Sequence, residues 1–346
     1  MSLVPLPKQD PSVAWPTVNW EHGPIKTGDA EQVEAIIARA FDSQPRDDLG
    51  LTLAVVCIQG GRLVAERYAE SADHETPLIS WSMAKSMTQA LLGLLAHDGL
   101  LTAGDLVMAP EWDGDGERER LDIKTMLAMR SGLLWNEDYV DHEESHCLQM
   151  LFGTGAEDMA AYAAGLPLAA EIDSTFNYSS GTTNILSRLA GDKIAGTGAT
   201  TNDYLTNRLF GPLGMTSADP RFDPAGTFIG SSYVYATARD FARFGHFYLR
   251  DGVWGDERLL PEGWVDRART TRSVDESTGN GYGEHWWTRV DDPLGTFWAN
   301  GYEGQSITIV PPLDLVVVRL GKSLADLHRD ALTRWRWDLI DAFAED

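Results

Sequence analysis

Apolar positions along the chain change their spacing several times. From Asp29, a residue suited to open a helix, Val33, Ile36, Ile37, Ala40 and Phe41 recur at helical intervals. The stretch LTLAVVCIQGGRLVAERYAE, beginning at Leu51, then reads as two strands joined at Gly60-Gly61, a strong hairpin signal. Most of the following residues are helical in pattern, with long irregular links. The predicted helices run from Ser82 to His97 (closed by Gly99), Ile123 to Met129, Ala156 to Ala164, Thr183 to Ile194 and Asn202 to Phe210. Strand character returns in FWANG, QSITIVP and LVVVRLG, short apolar or alternating runs separated by Gly, Pro and Asp, and a final helix is predicted from about Ser323 to Phe343.

Strands near both ends with helices between them imply an α+β fold with a discontinuous layout. Residues 29–75 and 240–346 are expected to build one antiparallel sheet flanked by the terminal helices. A mainly helical domain, residues 76–239, is inserted, and residues 1–28, rich in Pro and Trp, form an arm on the surface. The helix at Ser82 would lie at the seam, where ligand clefts tend to form. No fixed-period repeat or low-complexity tract interrupts the chain.

Composition narrows the function classes. With 346 residues, 43% of them hydrophobic, the chain can bury a sizeable core. Lysine and arginine number 28 against 52 acids, a formal charge of −24 spread along the chain. That charge argues against nucleic acid and other polyanionic partners. The first twenty residues carry no apolar signal core, and no later run is long enough to span a membrane. Cys57 and Cys147 suggest no disulfide framework, so a reduced, cytoplasmic setting is expected, with the chain a monomer or homodimer.

The chemistry begins at WSMAKSM, Trp81 to Met87. Ser82 and Lys85 stand one helical turn apart and can touch. A serine hydroxyl is too weak an acid to attack a carbonyl unaided. A neutral lysine one turn away can take its proton if burial and nearby cations depress the amine. Ser82 also stands at a helix start, where its own N–H is free to bind an oxyanion. In FNYSSGTTN, Phe176 to Asn184, Tyr178 could relay that proton to a leaving group and Ser180 could bond substrate or Lys85. In NGYEGQ, Asn300 to Gln305, the glycines around Tyr302 allow close approach of backbone to a ligand. The Tyr302 N–H could then complete an oxyanion hole with that of Ser82. The bland alternatives are N-capping hydroxyls, a loop tyrosine and an ordinary Gly-rich turn.

Taken in order, these three segments resemble the serine β-lactamase and penicillin-recognising hydrolase family, in its class C, esterase-like branch. More narrowly, SMAKS, WNEDYVD, FNYSSGTTN, HWW and NGYEGQ are similar to segments of the 6-aminohexanoate-dimer (nylon-oligomer) hydrolases. The resemblance covers roughly residues 50 to 345 and implies a β-lactamase/transpeptidase-like fold. It implies a serine hydrolase acting on carboxylic esters or linear amides through an acyl-enzyme, without cofactor or metal. It makes Ser82 the nucleophile, Lys85 the base, Tyr178 the proton relay and the Ser82 and Tyr302 N–H groups the oxyanion hole. Tyr139 in WNEDYVD, Ser180, Gly301 and Glu303 become substrate-binding residues.

Family members that take β-lactams or D-Ala-D-Ala peptides place a Lys or His first in a K-T-G-type triplet to hold the substrate carboxylate. Here the triplet reads Ala299-Asn300-Gly301, so no cation is expected there, which counts against a β-lactamase or D-Ala-D-Ala peptidase. Two other classes compete. His142-Glu143-x-x-His146 fits the helix signature of zinc peptidases, although Asp141, Glu144 and Ser145 make the stretch polar and point to a solvated segment. A catalytically inactive binding module is the other. His246 and His285 sit among aromatics and read as packed, and no G-x-S-x-G marks a Ser-His-Asp triad.

Overall fold

A computed structural model describes residues 3–42 and 48–345. Its centre is an eight-stranded antiparallel sheet: β1 (Leu51–Gln59), β2 (Arg62–Tyr68), β3 (Ser273–Val274), β4 (Gly281–Tyr282), β5 (Trp287–Thr288), β6 (Phe297–Gly301), β7 (Gln305–Val310) and β8 (Leu315–Lys322). The strand order is β2-β1-β8-β7-β6-β5-β4-β3, so the first and last strands of the chain lie side by side. The hairpin expected at Gly60-Gly61 forms with both glycines at positive φ, the geometry of a tight two-residue turn.

Alternation along the strands explains why β1 and β8 read as nearly unbroken apolar runs: both faces are covered. Ala54, Val56, Ile58, Val316, Val318 and Leu320 face one core, and Val55, Cys57, Leu315 and Val317 face another. The second core is closed by Val33 and Ile37 of α1 (Ala30–Asp42) and by Trp335, Leu339 and Phe343 of α5 (Ala325–Ala344). Asp29 opens α1 by accepting from the N–H groups of Glu31 and Gln32. The first core is continuous with the inserted helices, including α2 (Ala84–His97) and α3 (Ser180–Ala195). Each fully buried Val or Leu in these layers contributes about 1.5–3 kcal/mol relative to exposure.

Several elements escape the sequence pattern. Helix α4 (Ala238–Leu249) lies flat on the sheet, and a Cβ at Gly245 would come within 2.6 Å of Val316 and 2.7 Å of Ile307. That close approach buries the polar members of α4 with the apolar ones: Asp240, Arg243 and His246 are all buried. Strands β3, β4 and β5 have two residues each, too few to show any period. The described N-terminal residues pack rather than trail: Trp20 is buried, Arg243 donates to the carbonyls of Pro16 and Val18, and His246 and Arg250 meet Gln9. Among the described residues no helix is long and apolar enough to cross a membrane.

Candidate active site

Ser82 sits in a 3-10 turn, Trp81–Met83, that feeds directly into α2. Trp81 just before it is held at φ +43°, a left-handed conformation that L side chains rarely adopt and that marks local strain. Lys85 falls on the first turn of α2 and is buried, as WSMAKSM suggested. Its Nζ lies 2.9 Å from Ser82 Oγ, 2.8 Å from Ser180 Oγ and 3.0 Å from the carbonyl oxygen of Ser231. Burial holds the amine below the usual lysine range, while Glu137 and Cys147 oppose that shift. Of the two causes expected from the sequence, burial acts and no nearby cation adds to it.

Ser180 is the first residue of α3, one position after the N-cap, which Ser179 takes by accepting from Thr182 N–H. Ser180 thus points inward and donates its N–H and its hydroxyl to Glu137. Tyr178, just upstream, has its ring stacked on Trp287 with centroids 5.5 Å apart, and Lys85 Nζ lies 4.8 Å from the ring centroid. Burial pushes the Tyr178 phenol well up from its ordinary value, Glu137 adding to the rise and a hydrogen bond with Ser82 opposing it.

The NGYEGQ segment arrives from the sheet. A Cβ on Gly301 would come 2.4 Å from the Ser80 carbonyl oxygen, so glycine is what lets the end of β6 press against the Ser82 turn. Tyr302 opens the following 3-10 turn, Tyr302–Gly304, and Ser82 lies in the first turn of its own. Amides in such positions have no acceptor within their own turn. Glu303, at φ +59°, accepts from the Trp81 indole N–H at 3.2 Å, tying the two turns together. The Tyr139 ring lies 5.1 Å from that of Tyr302, and its hydroxyl donates to Glu137 at 3.0 Å. A cavity of about 640 Å³ is lined by Ser82, Tyr139, Tyr178, Trp287, Tyr302 and Glu303, among others.

All the residues singled out from the sequence as catalytic or substrate-binding thus meet around one cavity, with Ser180 and Lys85 just beneath its lining. Three partners were missed. Glu137 is the partly buried hub that accepts from Ser180, Tyr139 and the Trp135 indole. It stands beside Asp138 in WNEDYVD, and nothing local separates the buried acid from the exposed one. Trp287, from HWW, forms the wall behind Tyr178. The third is Arg336 of α5, which donates to Asn300 Oδ1 at 3.2 Å beside the Ala299-Asn300-Gly301 triplet, whose first position carries no cation. Thirty-six residues of sequence separation conceal that contact.

His142 and Glu143 lie in a turn and His146 begins a separate helix, His146–Phe152, so the three do not share one helical face as a zinc motif requires. His146 Nδ1 is already occupied, accepting from Asn136 N–H at 2.9 Å. His285 is buried between Thr183 and the Leu127 carbonyl, and burial lowers it to about 3, so it is a neutral structural residue.

Comparison with known proteins identifies the fold and the family. A 6-aminohexanoate-dimer hydrolase of Paenarthrobacter ureafaciens is 25% identical over 310 residues, covering 84% of this chain and 77% of that protein. Among solved structures, a Bacillus anthracis protein named for 6-aminohexanoate-dimer hydrolase superposes with a TM-score of 0.75 at 18% identity, covering 99% of this chain and 90% of its own. EstCE1, described as a hydrolase with promiscuous acyltransferase activity, superposes with a TM-score of 0.68 at 16% identity, covering 91% and 98%. These likenesses establish a β-lactamase/transpeptidase-like fold. The family described as Beta-lactamase matches residues 37–342, from the middle of α1 almost to the end of α5, and the chain belongs to that family.

Proposed function

We propose that this β-lactamase-family hydrolase cleaves carboxylic esters and linear amides through an acyl-enzyme on Ser82. The observation that carries the reading is the buried Lys85 amine 2.9 Å from Ser82 Oγ, its proton affinity reduced by desolvation. In the neutral form Lys85 accepts the Ser82 proton as Oγ bonds to the substrate carbonyl carbon. The carbonyl oxygen takes the negative charge and is met by the N–H groups of Ser82 and Tyr302. Collapse breaks the bond to the leaving alcohol or amine, which receives a proton from the Tyr178 hydroxyl, and Lys85 returns one to Tyr178. Water then attacks the acyl group, its proton following the same relay in reverse, to release the acid and restore Ser82.

Glu137 acts as a positioning residue in this scheme. It orients Ser180, and through it Lys85, without touching the reacting atoms. The hydrolases among the relatives support an ester or amide substrate. Reaction with a fluorophosphonate tests the proposal: the added mass should fall on the peptide containing Trp81 to Met87, and Ser82→Ala should abolish both labelling and turnover. Label on another serine, or undiminished turnover by Ser82→Ala, would overturn it.

A further inference from the structure

Beneath the cavity lining, a short turn of backbone at residues 230–232 reaches Lys85, and the Ser231 carbonyl is the third partner of its Nζ, at 3.0 Å. Gly230 lets this turn press into the seam between α2 and α3. A Cβ there would come 2.2 Å from Thr88 Oγ1 of α2 and 2.4 Å from Ser187 Oγ of α3. The peptide joining Gly230 to Ser231 is held at both ends: its carbonyl accepts from Thr88 Oγ1 at 3.0 Å, and its N–H donates to Asn184 Oδ1 at 3.2 Å. Just beyond, the Ser232 N–H donates to the Ile229 carbonyl at 3.0 Å, and the Ser232 carbonyl accepts from Ser80 Oγ at 3.3 Å. The Ser231 carbonyl is thus fixed from either side while it faces Lys85.

Asn184 is buried on α3, one helical turn after Ser180. Only its Oδ1 can accept from the Ser231 N–H, so its amide N–H groups point elsewhere, toward Met150 Sδ at 3.4 Å and Met159 Sδ at 3.8 Å. Thioether sulfurs are weak acceptors and compensate poorly for the water those donors have lost. An apolar side chain of similar size would suit this pocket better in every respect but one. The one well-made hydrogen bond of the Asn184 side chain goes to the peptide that presents the Ser231 carbonyl.

Counting protons shows what that carbonyl does. The Ser180 hydroxyl donates to Glu137, so toward Lys85 its oxygen accepts. The Ser231 carbonyl oxygen can only accept. A neutral amine carries two N–H groups and one lone pair. With Ser180 and Ser231 taking the two N–H groups, the lone pair is left for the Ser82 hydroxyl, 2.9 Å away. Without the Ser231 acceptor, Lys85 is free to turn an N–H toward Ser82 Oγ, the wrong polarity for a base.

We propose that Asn184 is a positioning residue for the reaction: by holding the Gly230–Ser231 peptide it sets the Ser231 carbonyl against Lys85 and so aims the amine's lone pair at Ser82. The proposal rests on the reading above in which Lys85 is the base for Ser82. Asn184 acts through the peptide and touches neither substrate nor the reacting atoms, and neither it nor Ser231 lines the cavity.

Asn184→Leu removes the acceptor and keeps nearly the same volume. With p-nitrophenyl butyrate as substrate, KM should stay near the parental value, and kcat should fall by ~10-fold or more, the scale of a small misplacement of a reacting group. The pH profile separates this from loss of fold. The Ser231 carbonyl also accepts from the ammonium form of Lys85 and favours it, as do Glu137 and Cys147, with the Tyr178 ring facing the same nitrogen. Losing that acceptor lowers the proton affinity of Lys85, so the acid limb of kcat should move to lower pH. A merely structural asparagine would scale the whole profile by the folded fraction and leave the limb in place. Thr88→Val releases the other end of the same peptide without touching Asn184, and should act in the same direction more weakly. It decides the matter if Asn184→Leu does not fold, with circular dichroism and thermal unfolding reporting the fold of each. A parental kcat, or an unmoved acid limb, in whichever variant is folded would overturn the proposal. Lys85→Ala on the same ester separates the two ideas. Turnover that persists there refutes Lys85 as the base, whereas a silent Lys85→Ala beside a folded Asn184→Leu of parental activity refutes the positioning role alone.

Discussion

Lys85 Nζ and Glu137 Oε1 face each other across 4.0 Å, with the Ser180 hydroxyl between them, accepting from the amine and donating to the carboxylate. A buried carboxylate this close would ordinarily hold the lysine charged. Glu137 is instead surrounded by neutral donors: the Ser180 N–H and hydroxyl, the Tyr139 hydroxyl and the Trp135 indole. These donors compete with the lysine for the Glu137 oxygens, and desolvation prevails at Lys85.

Replacing that acid gives a prediction whose sign is set by the same balance. Glu137 raises the Lys85 proton affinity, so Glu137→Gln should lower it further. Turnover needs neutral Lys85, and the acid limb of the kcat/KM profile should therefore move to lower pH while the neutral-pH rate falls through loss of Ser180 positioning. A pH-rate profile of the purified variant checks this. An acid limb that stayed put or moved upward would contradict the role given to Glu137.

Tyr178→Phe removes one hydroxyl and leaves the stack on Trp287 intact. We expect kcat to fall by ~10²-fold or more, the usual size of a proton-transfer contribution. Because burial keeps the phenol neutral at ordinary pH, the relay works through its O–H and not through a standing phenolate. Full activity in the variant would leave Tyr178 as wall and nothing more.

Ala299→Lys, which would recreate the cation of the K-T-G triplet, should destabilise the protein rather than confer β-lactam turnover. Ala299 is only 1% exposed and its side chain belongs to the apolar core beneath the sheet. A lysine there would bury an unpaired charge, among the most destabilising of single substitutions. Thermal unfolding together with a nitrocefin assay decides the matter. A variant as stable as its parent that gained nitrocefin turnover would show that position 299 opens to the cavity.

Acid should weaken the fold through its buried histidines before it titrates ordinary carboxylates. His285 is lowered to about 3 and His246 well below its usual range, both by burial. Between about 3 and the unfolded value of 6.5, the unfolded chain binds protons at these sites that the native chain refuses. Stability should therefore decline as pH falls through that window. Urea titrations at pH 7.5 and 5 compare the parent with His285→Gln, where the decline should be smaller because one such site is gone. Equal declines would exclude His285 as a contributor.

Much of this was readable in the chain because it depends on short-range spacing. The short apolar or alternating runs of β1, β7 and β8, the Gly60-Gly61 turn and the i, i+3 relation of Ser82 to Lys85 are all local, and each formed as read. Tyr178 and Ser180 were found because a helix start places hydroxyls in a recognisable pattern. What sequence alone could not decide was which polar groups would lose water, since that depends on what distant segments cover them. Glu137 and Asp138 are chemically similar neighbours until α3 brings Ser180 over one and leaves the other exposed. Helix α4 carries Phe241, Phe244, Phe247 and Tyr248 at helical spacing, but only the sheet and the N-terminal residues decide that Asp240, Arg243 and His246 on it are buried as well. Arg336 became part of the cavity only when α5 closed on β6, setting a guanidinium against Asn300 from the far end of the chain. Local chemistry chose the reacting groups, and long-range packing chose which of them are dry, charged and able to meet.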